Sequence, residues 1–166
     1  TVEDGIHRLP QITLCSQKES SGSYNYVPID PCQPVIMGLR IASQEGIPRK
    51  FIDYGCDIYE PRKINFPDSY ALRHMSYEKF CATLLLSIER PETNTLHDKR
   101  ARWIAYQLHQ LEFDFKNITF ICSVLDWPWI KEAYNERKPY DKIISPLNNP
   151  KIFGVVKETL FFALAE

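Results

Sequence analysis

The sequence has few of the signatures that usually announce a function. It contains no Cys-x-x-Cys pair, no His-Glu-x-x-His helix, no Gly-x-Ser-x-Gly elbow, no Walker loop and no Gly-x-Gly-x-x-Gly turn. Each absence removes a chemistry. Without paired cysteines or metal-spaced histidines there is no zinc signature. Without a glycine-rich loop there is no row of backbone N–H groups to cradle phosphates, so a standard nucleotide site is disfavoured. Charge of one sign is lacking too. Twenty Lys and Arg against 21 Asp and Glu leave a net charge of −1, so nothing draws nucleic acid or an anionic membrane to the chain. No apolar run approaches the roughly 18 residues that a membrane span needs. Internal repeats and low-complexity segments are absent as well.

What remains is ordinary globular composition: 166 residues, 44% hydrophobic and 25% charged. That length predicts a single domain over 1–166 with a sizeable core. Five cysteines, at 15, 32, 56, 81 and 122, are an odd set without close pairing, so they read as reduced thiols and point to the cytoplasm. The chain opens on Thr1 rather than Met, and an apolar helix from Lys157 reaches Glu166 with no stop signal. Both ends therefore predict a piece of a longer polypeptide, whose remainder is an expected partner.

Periodicity gives the order of elements. Residues 11–16 alternate as a strand, and 17–25 read as a polar loop. Asp30 as N-cap and Pro31 at the first helical position predict a helix with Val35, Ile36, Leu39 and Ala42 on one face, stopped at Gly46. Residues 50–54 (K-F-I-D-Y) form a second short strand. Strand, capped helix and strand predict a βαβ crossover and a parallel pair. Residues 55–75 are irregular and suit a lid. Ser76 caps a helix with Phe80, Cys81, Leu84, Leu85 and Ile88 on its core face, and a longer helix covers 93–112 with Thr95 and Asp98 at capping-box spacing. Residues 117–124 (N-I-T-F-I-C-S-V) read as a buried parallel strand, and Asp126 opens another helix. After an irregular stretch over 136–150 come a last strand over 152–156 and the final helix. The expected fold class is α/β: a Rossmann-like three-layer domain with a mostly parallel sheet.

In such a sheet, ligands bind at the carboxyl ends of the strands. Asp53 closes one predicted strand and Asp126 follows another. Asp126 is either a helix cap or a site carboxylate; Asp53 precedes no obvious helix, so capping explains it less well. Arg100 is the sharpest candidate. It projects from the middle of the stripe formed by Leu96, Trp103, Ile104, Leu108 and Leu111. A guanidinium there must find a carboxylate or reach a cleft, because an unpaired charge is costly to desolvate. Either a structural salt bridge or a site role satisfies it. Asp98 and Arg102, four residues apart on the polar face, read as a surface pair. His74 lies in the irregular segment and is either a surface residue or a group that reaches the site. His97 and His109 fall outside the apolar stripe and read as surface residues. Trp127 and Trp129 flank Pro128 and either pack the helix start or cradle a ligand.

The order of landmarks carries a resemblance. R-L-P-Q-I-T, Y-V-P-I-D-P, E-G-I-P, F-I-D, P-D-S-Y-A-L-R-H, D-K-R-A-R-W-I-A and F-I-C-S-V-L-D-W-P-W-I follow one another over residues 8–165. This series resembles the erythromycin-esterase/TraB/ChaN-like superfamily, in particular its uncharacterised bacterial members. The resemblance implies a mixed α/β fold with a pseudo-repeated core, among relatives that include histidine- or metal-dependent hydrolases and a haem-associated lipoprotein. It implies a Gly-x-x-His motif before Gln11, a second near residues 117–124, and an arginine on the helix between, which Arg100 matches. Two departures stand out. The early motif is missing, and at the late one the chain has Ser123 and Asp126. An aspartate can bind a hard cation or accept a proton, but it cannot serve as a near-neutral imidazole base.

Two functions follow. In the first, the chain is part of a hydrolase-like enzyme acting on a small molecule, with Asp53 as acid/base, Asp126 as ligand for a divalent metal, Arg100 orienting an anion and His74 assisting. In the second, it is a catalytically inactive ligand-binding or protein-interaction module of a larger protein. The cofactor is left open beyond that possible metal, no cofactor-binding residue is singled out, and no nucleic acid and no membrane span are expected.

Overall fold

The computed structural model describes residues 2–19, 21–56, 60, 66–140, 150–156 and 158. They fall into two compact units, one including 2–51 and 150–156, the other including 52–54 and 66–140.

The first unit starts with a short helix, α1 (Val2–Ile6), followed by strands β1 (Thr13–Lys18) and β2 (Tyr24–Ile29) and helix α2 (Pro34–Gln44); β3 (Lys151–Gly154) completes its sheet. The sheet order is β2-β1-β3, and both pairings are antiparallel: Thr13 stands opposite Ile29 on one side and Gly154 on the other. This overturns the Rossmann-like expectation. No βαβ unit forms because the 17–25 stretch, expected as one loop, holds the end of β1, a tight turn at Gly22 and the start of β2. A turn that short returns the chain antiparallel. The Y-V-P-I segment, expected to lead into a helix, is the edge strand β2. There Pro28 faces Leu14 and an edge position tolerates its missing donor.

Helix α2 forms where its apolar period predicts, with two changes at its start. Gln33 is the N-cap and Pro34 opens the helix, while Asp30 instead accepts a hydrogen bond from the Cys32 N–H at 2.8 Å. Gly46 adopts φ +64°, the left-handed stop expected of it. Ile6, Ile29 and Ile36 form this unit's core, with Val2, Leu9, Cys15 and Leu39 packed around them.

The second unit is helical: a 3-10 turn (Ser69–Arg73), then α3 (Tyr77–Leu86), α4 (Leu96–Leu111) and α5 (Trp127–Glu136). The caps predicted for α3 and α4 form. Ser76 accepts from the Lys79 N–H and Thr95 from the Asp98 N–H, while Asp98 reaches back to the Asn94 N–H at 2.8 Å. Of the face expected for α3, Leu84 and Ile88 are buried and Leu85 is exposed. The core is Ala101, Ile104 and Ile130, surrounded by Ile52, Trp103, Leu108, Phe120, Cys122 and Trp129.

Residues 50–54 and 117–124, expected as parallel strands, take no regular helix or strand and join no ladder among the described residues. In 117–124, Phe120 and Cys122 pack inward whereas Ile118 and Ile121 are exposed. Burial alternates over 120–124 alone, since Ile118 has the parity of Phe120 and Cys122 yet is exposed; a central parallel strand would have buried both faces throughout. With five α-helices and one small antiparallel sheet among the described residues, the three-layer parallel architecture is excluded. All of the expected final helix but Glu158 and most of the irregular stretch 136–150 lie outside the described residues, as does part of the lid expected at 55–75. No helix among the described residues is long and apolar enough to cross a membrane.

Candidate functional site

The second unit brings three of the four predicted residues together. Asp53 follows Ile52, whose side chain packs on the core; Arg100 lies in the second turn of α4, one residue before the buried Ala101; Asp126 is the residue before α5. Packing of Ile52, Ala101 and Ile130 therefore delivers both carboxylates to the guanidinium.

The geometry is a fork and a strut. Arg100 Nε donates to Asp53 Oδ1 at 2.6 Å and Nη2 to Oδ2 at 2.8 Å, a bidentate pair. Nη1 donates to Asp126 Oδ2 at 2.7 Å. Asp53 Oδ1 also accepts the Tyr54 N–H at 2.7 Å. The three side chains differ in solvent access: Asp126 is 10% exposed, Arg100 29% and Asp53 60%. Hydrogen bonding to Asp53 comes first in raising the Arg100 pKa above its ordinary value; burial opposes the rise, and both carboxylates add their attraction. One guanidinium between two carboxylates carries a net charge of about −1 at neutral pH.

Charge on the apolar stripe was a correct pointer to a paired arginine. Asp126 was expected first as a cap, yet its side chain makes no capping hydrogen bond. His74 stands elsewhere. It closes the 3-10 turn, exposed, with its ring tilted on Tyr70 at 5.6 Å, and no hydrogen bond or ion pair joins it to Asp53, Arg100 or Asp126.

Cys122 was not among the predicted site residues. Burial, and then the Asp126 carboxylate, raise its thiol above the ordinary value, with Arg100 offsetting part of that. A raised thiol is a poor nucleophile. The inward alternation of Phe120 and Cys122 was the only signal that could have placed it near the cluster. No group of three or more His, Cys, Asp or Glu converges as a metal-ligand set among the described residues.

The flanking aromatics mostly fill space. Trp103 meets Tyr54 edge-on at 6.2 Å, and Tyr106 stacks on Tyr140 at 3.8 Å. Of the tryptophan pair, Trp129 packs on the core beneath the Arg90 guanidinium, and Trp127 is exposed beside Lys131. Arg90 also joins Glu132, which Lys138 contacts from its own side. The Asp98–Arg102 pair forms, although both side chains are half-buried and not on the open surface expected for them.

No protein-family model, curated protein or solved structure matches this chain.

Proposed function

We propose that the chain is a non-catalytic module of a larger protein, in which Arg100 ties three segments together and Asp53 forms the polar edge of a small-ligand or protein-binding face. One observation carries this reading: all three guanidinium nitrogens of Arg100 donate to Asp53 and Asp126. An arginine spent on two carboxylates, in a cluster of net negative charge, has little left with which to orient an anionic substrate. Asp126, in turn, faces a permanent cation, which opposes recruitment of a metal ion to the same oxygen. Asp53 keeps a mostly exposed carboxylate, able to accept from a ligand's N–H or O–H groups. A cytoplasmic setting suits the thiols of Cys15, Cys32, Cys81 and Cys122, none of which is in a disulfide.

The hydrolase-like alternative rests on the superfamily resemblance, and one feature favours it. A solvent-accessible carboxylate beside a partly buried charge pair is an arrangement that active sites also use. The two readings part in a hydrolysis assay of the full chain with p-nitrophenyl acetate and p-nitrophenyl phosphate. The module reading expects turnover no faster than buffer. Turnover that disappears in folded Asp53→Asn protein would overturn it.

A further inference from the structure

In the sheet of the first unit, β2 has β1 on one side and no strand on the other among the described residues. The ladder fixes which of its backbone groups face outward. At the turn, the Glu19 N–H donates to the Ser23 carbonyl at 2.9 Å. Hydrogen-bonded pairs recur at every second residue of an antiparallel ladder. In this register the others are Gln17 with Asn25, Cys15 with Val27 and Thr13 with Ile29. The backbone groups of Tyr24, Tyr26 and Pro28 therefore point away from β1. They present the N–H groups of both tyrosines and all three carbonyls, since proline has no donor. No hydrogen bond reaches these groups among the described residues.

The side chains leave this edge nearly unguarded. Edge strands usually carry a lysine, an inward charge or a bulge that discourages pairing with another chain. β2 reads Tyr-Asn-Tyr-Val-Pro-Ile, with no charged residue, and its register against β1 runs without a bulge. Pro28 is its one guard, and it stands next to the end of the strand. Tyr24, Tyr26 and Val27 are all exposed, so apolar surface accompanies the open backbone.

We propose that β2 pairs antiparallel with β2 of a second copy of this chain, joining two three-stranded sheets across a two-fold axis at Tyr26. The edge is complementary to itself. Each Tyr26 N–H donates to the other copy's Tyr26 carbonyl, and each Tyr24 N–H to the other copy's Pro28 carbonyl. Every outward donor is then satisfied. The proline, which would break a ladder at its centre, falls at its end, opposite a Tyr24 carbonyl that stays in water. Charge does not oppose the approach either. Asp30, which follows the strand, comes opposite the uncharged Gly22 of the other copy, so no like charges meet. The two-fold occupies both edges, and the assembly closes as a dimer. Four partly exposed tyrosines and the strand backbones cover on the order of 600 Å² together. That is about half of the 1,200 Å² at which stable interfaces begin, so the dimer is weak, with a dissociation constant of roughly 100 μM.

The test uses the full chain. Sedimentation velocity between about 5 μM and about 1 mM should show monomer giving way to dimer and to nothing larger. Over that range, amide hydrogen exchange at Tyr24 and Tyr26 should slow about fivefold, the factor by which the monomer fraction falls. Asn25 and Val27, bonded to β1 in either state, should change little. Tyr26→Pro removes the central donors at an outward position of the kind that Pro28 already occupies. It should weaken association on the order of tenfold or more, and Tyr26→Ala, which keeps the N–H, should weaken it less. A chain that stays monomeric at about 1 mM overturns the pairing and leaves the edge to an extended segment of a different protein. Growth beyond the dimer overturns it too, as does a dimer whose Tyr24 and Tyr26 amides exchange as fast as in dilute protein. None of these measurements needs a variant to fold. Equal weakening by folded Tyr26→Pro and Tyr26→Ala proteins would show that the rings alone drive association, and would overturn the strand pairing.

Discussion

Asp126 immediately precedes α5, yet it gives its carboxylate to Arg100 at 2.7 Å and makes no capping bond to the helix. A buried carboxylate in that position holds two elements instead of finishing one. Removing it should therefore cost more than a cap. Asp126→Ala is expected to destabilise the second unit by about 3 kcal/mol, the lower end for breaking a buried pair, since Asp53 still holds the guanidinium. Asp53→Ala should cost less than about 1 kcal/mol, because its side chain is 60% exposed and water screens the pair. All three tryptophans (103, 127 and 129) belong to the second unit, so fluorescence during urea unfolding reads it directly. Equal losses from the two variants would contradict the strut.

Acid should loosen the same unit through Glu132. Its carboxyl is held below the ordinary value, first by Arg90 and then by Lys138, which both donate to it. A carboxyl depressed in the folded state stabilises above its unfolded value, and the contribution disappears as pH falls through the folded one. Between about pH 5 and pH 3 the urea midpoint should fall, and Glu132→Gln should flatten part of that fall. A midpoint curve that the substitution leaves unchanged would show that the Arg90–Glu132–Lys138 group contributes nothing to acid lability.

Local chemistry was legible in the sequence; pairing at long range was not. Ser76, Thr95 and Gly46 do what their residue types predict, because a cap or a left-handed stop depends on neighbours a few residues away. Arg100 was legible for a related reason: a charge inside an apolar stripe needs a partner wherever that partner comes from. The sheet failed because an alternating run looks the same whether its neighbour runs parallel or antiparallel, and β3 reaches β1 from the far end of the chain. His109 failed because a helical wheel sees only its own helix. The carbonyl and ring that cover it belong to α5.

The N-terminal end of α4 offers a local test. Thr95 Oγ1 accepts the Asp98 N–H, and Asp98 returns a bond to Asn94 N–H. Thr95→Ala should cost about 1 kcal/mol, whereas Thr95→Ser, which keeps the acceptor, should cost a few tenths. The readout is again the fluorescence-detected urea midpoint. If the two substitutions cost the same, the hydroxyl is not the cap.

In the first unit the decisive contact is between α1 and the β1–β2 pair. A Cβ added at Gly5 would stand 2.1 Å from Ile29 Cδ1 and 2.9 Å from Thr13 Oγ1, and both neighbours are fully buried. Alanine normally favours a helix over glycine by about 1 kcal/mol, so an unobstructed site would gain stability. Here overpacking, about 1–3 kcal/mol, opposes that gain, and Gly5→Ala should come out destabilising. The measurement is hydrogen exchange at the paired amides of Thr13 and Ile29, which report the β1–β2 ladder. Shortening the obstructing side chain separates the causes. Ile29→Val alone should cost about 1 kcal/mol from the lost methyl, but in the Gly5→Ala background it removes the colliding atom. The double variant should then be at least as protected as Gly5→Ala alone. Additive losses would mean that the helix moves away from the sheet instead of pressing on Ile29.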